Sequence, residues 1–244
     1  MYGGTTATPS EWVADSVVMI DEHGRIDLVG PWDLPAEAQG PALEGLDMAT
    51  DADIRSALLG GLAPGTVLDC RGLYVLPGLV AVAIGGDDVP AWDPQKAETG
   101  VTACFHVASP KREDVAVIRL PPGRDGAAEA AEAAWRWWQK GRDAGLLGAF
   151  VGGCQAWLLE AVRQAADRGV PSIAAINMAS LGPAAVAGVA RGRGALLRGY
   201  RADVVIVDEE WHVVATLIGG QVVYSERSLA VPEPDIAELE WPDA

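Results

Sequence analysis

Cys104 and His106 lie two apart in the β-forming run Val101-Thr102-Ala103-Cys104-Phe105-His106-Val107, so on a strand they share one face. With Asp87, Asp88 and Asp93 from the polar loop before it, they form a histidine-and-carboxylate set of the kind that takes a divalent metal. The competing reading is a partly buried histidine with one ordinary hydrogen bond, and that is the one expected here. His23 falls in a turn, Asp21-Glu22-His23-Gly24, and His212 in another, Glu209-Glu210-Trp211-His212; both are expected to be solvated or structural. Arg191-Gly192-Arg193-Gly194 could hold a phosphate, but a solvated loop is the expectation. The sequence contains no G-x-S-x-G, no Walker A and no G-x-G-x-x-G, so serine-hydrolase and nucleotide-binding readings have no support. No catalytic, cofactor-binding or metal-binding residue is assigned from these groups.

The chain around them has 244 residues, half of them hydrophobic, enough for one good core or two small ones. A formal net charge of −16 argues against nucleic acid and anionic membrane as partners, since both would repel it. No run approaches the roughly 18 apolar residues of a membrane span. The polar start, Met1 to Ser10, does not read as a signal peptide. Cys70, Cys104 and Cys154 are odd in number and far apart, which points to reduced thiols and a cytoplasmic setting. No C-x-x-C is present to suggest a structural zinc.

The elements that must position these residues are organised around one stretch, Leu73-Tyr74-Val75-Leu76-Pro77-Gly78-Leu79-Val80-Ala81-Val82-Ala83-Ile84-Gly85-Gly86. It reads as a buried strand broken once at Pro-Gly. Before it, Val17 to Ile20 and Arg25 to Gly30 flank a polar turn as a β-hairpin. A short helix is expected over Asp51 to Leu59 and a strand over Thr66 to Cys70. After it come strands over Gly100 to Ala108, Val115 to Leu120 and Leu146 to Val151, the last running into Gly152-Gly153. Helices are expected over Ala127 to Gly141 and Gln155 to Arg168, the first carrying Trp135-Arg136-Trp137-Trp138. Val204 to Val207, Val213 to Ile218 and Gln221 to Tyr224 read as closing strands, and residues 227–244 as a disordered acidic tail.

Three of these stretches carry a resemblance. Pro77, Gly78, Leu79 and Val80 match the front of P-G-[LF]-[IV]-D-x-H-x-H, the first-strand signature of the amidohydrolase superfamily. Gly194 to Asp203 fits that superfamily's G-x-[LI]-x-x-G-x-x-A-D at every fixed position, and Pro171 to Gly188 resembles its last helix, A-x-x-x-A-[ST]-x-N-P-A, with Gly182 in place of the Asn. Within the superfamily the likeness is closest to the N-acetylglucosamine-6-phosphate deacetylase family, through Val213 to Gly220. The resemblance implies a β-sandwich assembled from both chain ends, enclosing a (β/α)8 barrel. It also implies a divalent metal held by the two strand-one histidines, with further ligands from middle strands and an Asp on the last strand to move protons. Here the signature's Asp falls on Ala81 and its histidines on Ala83 and Gly85.

Leu76 to Ala190 spans only 115 residues, whereas a closed (β/α)8 barrel takes about 250. At about 30 residues per β-α unit, three or four units fit. The expected fold class is therefore α/β: a composite β-sandwich from both chain ends plus a truncated, open (β/α) barrel remnant. The expected layout places sandwich strands in 1–75 and 191–226, with the remnant in 76–190. An open sheet has exposed strand edges and must be covered, with the tryptophan helix and Trp157 as the expected cover. Trp137, about 100° from each neighbour on a helix, is expected to leave apolar surface for a second copy or another protein.

With ligands and middle strands both missing, the function implied is that of a non-catalytic amidohydrolase relative, free of cofactor and metal. It would be kept as a binding or assembly partner of itself or of a full-length relative. The alternative is a hydrolase acting on an amide or phosphate-ester bond through a rearranged site. A decayed or artificial descendant without activity is a third class.

Overall fold

The computed structural model describes residues 1–31, 68–85, 94–112, 114–141, 147–152 and 155–226. The expected short helix at 51–59, the acidic loop from Asp87 and the C-terminal tail fall outside the described residues. So do Gly153 and Cys154.

The Pro-Gly break is where the fold divides. Tyr74–Pro77 (β4) and Leu79–Ile84 (β5) belong to different sheets, and the single broken strand read from sequence is two strands. Proline and glycine suit that corner, because Gly78 N–H turns away from both ladders and donates to the Asp203 carbonyl at 2.8 Å.

β4 lies inside a seven-stranded sheet with Tyr2–Ala7 (β1), Trp12–Ile20 (β2), Ile26–Pro31 (β3), Val204–Val207 (β9), Val213–Ile218 (β10) and Gln221–Ser225 (β11). The order is β11-β10-β9-β4-β1-β2-β3, with only the β1–β4 pair parallel. Both chain ends contribute, as the resemblance implied. The sandwich is one sheet whose two far turns meet: a Cβ added at Gly24, between β2 and β3, would sit 2.1 Å from the Gly219 carbonyl oxygen of the β10–β11 turn.

β9, Val-Val-Ile-Val, is buried along its whole length because it packs on both faces. Val204 and Ile206 join Val18, Ile26, Val75 and Leu217 inside the curled sheet. Val205 and Val207 join the second core, shared with the helices. β1 escaped the sequence reading. Its Tyr-Gly-Gly-Thr-Thr-Ala looks polar, yet alternate residues Tyr2, Gly4 and Thr6 are buried, and the Thr6 hydroxyl pairs with that of Ser16.

The second part holds two parallel pairs. β5 pairs with Val101–Val107 (β6), and Val115–Arg119 (β7) pairs with Leu147–Val151 (β8). Gly152 N–H donates to the Val82 carbonyl at 2.9 Å, setting the pairs side by side in the order β6, β5, β8, β7. Four parallel strands covered by helices agree with the expected open sheet.

Arg124–Gly141 (α1) presents Ala127, Ala130, Ala131 and Ala134, all fully buried, at the i, i+3, i+4, i+7 spacing of one helix face. Leu158–Asp167 (α2) does the same with Leu158, Ala161, Val162 and Ala165. The sequence's last helix is two: Ser172–Ala179 (α3) and Leu181–Val186 (α4), broken at Ser180, whose φ of −130° and ψ of −80° leave the helical region.

Helices α1 to α3 cover the strand face carrying Leu79, Ala81, Ile118 and Phe150. α4 covers the opposite face, carrying Val80, Val82, Ala149 and Val151. Trp12 Nε1–H donates to Ser172 Oγ and Asn177 Nδ2–H to the Pro9 carbonyl, both at 2.9 Å, which ties the large sheet to α3.

The tryptophans fold over the sheet. Trp135, Trp137, Trp138 and Trp157 are half-buried and pack on the helix-side core. Room for Trp137 comes from Gly148, where an added Cβ would lie 3.1 Å from Trp137 Cζ3 and 3.1 Å from Met178 Cγ. Trp137 is thus drawn partly inward and stays half-buried. The exposed large hydrophobic residues among those described are Val117, Leu197 and Val223. No described helix is long and apolar enough to cross a membrane.

Cys70 lies fully buried beside β1, and burial pushes its thiol up to about 11. At pH 8 it is protonated and unreactive. Alkylation mapped by mass spectrometry should modify Cys70 only after denaturant is added. Rapid labelling of the folded protein at pH 8 would show that this core opens locally.

Candidate functional site

The four parallel strands end at one edge, where side chains from different strands could converge. Ala83, on β5, shares its face with Leu79 and Ala81 by alternation and is 0% exposed. Gly85 follows at φ +74°, a left-handed conformation, so the strand has ended and a residue with a side chain would be strained there.

His106, expected on β6 near this edge, is there and exposed. Its Nε2–H donates to the Gly85 carbonyl, linking the ends of β5 and β6. This is the ordinary hydrogen bond weighed against metal binding. Cys104 is two residues before it on the same strand and partly buried. The acids Asp87, Asp88 and Asp93 lie outside the described residues. Arg119 and Gly152 complete the edge from β7 and β8.

His23 and His212 are exposed turn residues, as expected. Sequence reasoning missed that His212 joins Asp208 and Glu210, with ligand atoms within 4.8 Å of one another. Asp208 Oδ1 accepts from the backbone N–H of Glu210 at 3.0 Å and of His212 at 2.8 Å, and Oδ2 lies 3.2 Å from His212 Nδ1. Burial pushes the Asp208 carboxyl up, but these bonds outweigh it and leave its pKa lowered. The spacing Asp-x-Glu-x-His in a hairpin turn was the available signal.

The densest polar arrangement is Asp203, the last residue of the G-x-x-A-D run. It is 4% exposed, yet Oδ2 accepts from Arg193 Nη1 at 2.7 Å, and Oδ1 accepts from Arg201 Nε at 2.9 Å and Gly219 N–H at 3.0 Å. Its carbonyl takes Gly78 N–H, while the neighbouring Ala202 donates to the Gly24 carbonyl at 2.8 Å and accepts from Gly220 N–H at 2.9 Å. Two residues thus clasp the β2–β3 turn, the β10–β11 turn and the β4–β5 corner. Arg193, read as a possible phosphate ligand, is spent on this clasp.

No protein-family model matches the chain, and no curated protein matches it in sequence. Solved structures do. Enamidase, a member of the amidohydrolase superfamily, superposes with a TM-score of 0.58 at 13% identity over 93% of this chain and 95% of that one. The chain has an amidohydrolase fold. The β-aspartyl dipeptidase of Fervidobacterium islandicum AW-1 gives a TM-score of 0.58 at 12% identity, over 92% of this chain and 96% of that one. N-acetylglucosamine-6-phosphate deacetylase of Thermotoga maritima gives 0.51 at 12%, over 92% and 99%. At identities this low the likeness is one of fold.

Proposed function

We propose that this chain is a non-catalytic protein built on a shortened amidohydrolase fold and retained for binding or assembly. The observation that carries the reading is the end of β5, where Ala83 is core and Gly85 has left the strand. In the superfamily signature these two positions hold the metal histidines. A methyl group and a hydrogen donate nothing to a metal, and a catalytic zinc takes three protein ligands. Among the described residues His106 is the one imidazole at this edge, and its Nε2–H is engaged by the Gly85 carbonyl. The donors among the described residues at this edge do not fit a divalent metal, so no hydrolytic step is derived through one. The four parallel strands stand for the first two and last two of a barrel whose middle is missing.

The partner would be a second copy or a full-length relative, meeting the outer strands of the parallel group. β6 and β7 each ladder with one neighbour among the described residues, and β7 carries Val117, 41% exposed. Strands in that position readily add another strand. A cytoplasmic setting fits Cys70, a buried thiol.

Sedimentation tests the assembly. The wild type should run heavier than a monomer at micromolar concentration, and Val117→Lys should return it to monomer mass while staying folded. A monomeric wild type would overturn self-association. Monomer that gains mass only when a full-length relative is added would place the partner there instead.

A further inference from the structure

We draw no further inference here: the strongest candidate, the exposed Asp208, Glu210 and His212 cluster at the turn between β9 and β10, carries nothing because it is an acidic cluster whose hydrogen bonds hold the turn itself and no second observation points to a bound ion.

Discussion

Asp203→Ala should destabilise the protein by about 3 kcal/mol, near the low end of what breaking a buried ion pair costs. Two effects set the size. Gly219 N–H, in a part-buried bond, loses the carboxylate oxygen that accepts it, while the Gly78 bond to the Asp203 backbone carbonyl is kept. The guanidinium groups of Arg193 and Arg201 are also left without their shared anion. They are 24% and 43% exposed, so water recovers part of that loss, which keeps the figure from the upper end. For a chain of this size the melting temperature should fall by roughly 6–12 °C. Arg136→Ala, which removes an exposed pair with Glu132, is the comparison and should cost only about 0.5 kcal/mol. Equal losses in the two variants, measured by thermal melts, would show that the clasp does not hold the three turns together.

Ala83→His places an imidazole where the superfamily signature has one, and the fold should reject it. Ala83 is fully buried, on the face of β5 that carries Leu79 and Ala81. Overpacking at such a position costs about 1–3 kcal/mol, and a buried ring nitrogen without a partner adds about 1–3 kcal/mol. The urea midpoint should therefore drop sharply, with or without added zinc. A variant as stable as the wild type would mean that the face opens onto a cavity and that the position is an emptied site rather than core.

Much of the fold was legible because local signals and tertiary packing agree. Ala127, Ala130, Ala131 and Ala134 keep the helical period that puts them in the core, and the β2–β3 hairpin follows its polar turn. Where a signal depends on a distant partner, the reading failed. β1 is polar in sequence because it sits between β2 and β4 and buries hydroxyls against hydroxyls, as Thr6 does with Ser16. The β4–β5 corner looked like one interrupted strand because the group that separates the two halves, the Asp203 carbonyl, lies far along the chain. Helical angles alone point Trp137 away from its neighbours, and the space that takes it partly inward comes from Gly148 on a neighbouring strand.

The candidate site divides in the same way. Ala83 and Gly85 could be read from the signature, but not that one is covered core and the other a left-handed strand end. His106 could be placed at the edge, but its bond to the Gly85 carbonyl needs the register of two strands, Ala83 opposite His106. Asp203 matched a motif whose physical work, clasping three turns, is invisible until Gly24, Gly78 and Gly219 are brought together.

Metal content tests the account most directly. Untagged protein, purified without chelator and dialysed against metal-free buffer, should carry far less than one zinc, iron, manganese or nickel ion per chain by mass spectrometry. Brief exposure to excess zinc followed by the same dialysis should leave that figure unchanged. About one tightly held ion per chain, lost together with His106→Ala, would contradict the account and make the edge formed by β5 and β6 a metal centre.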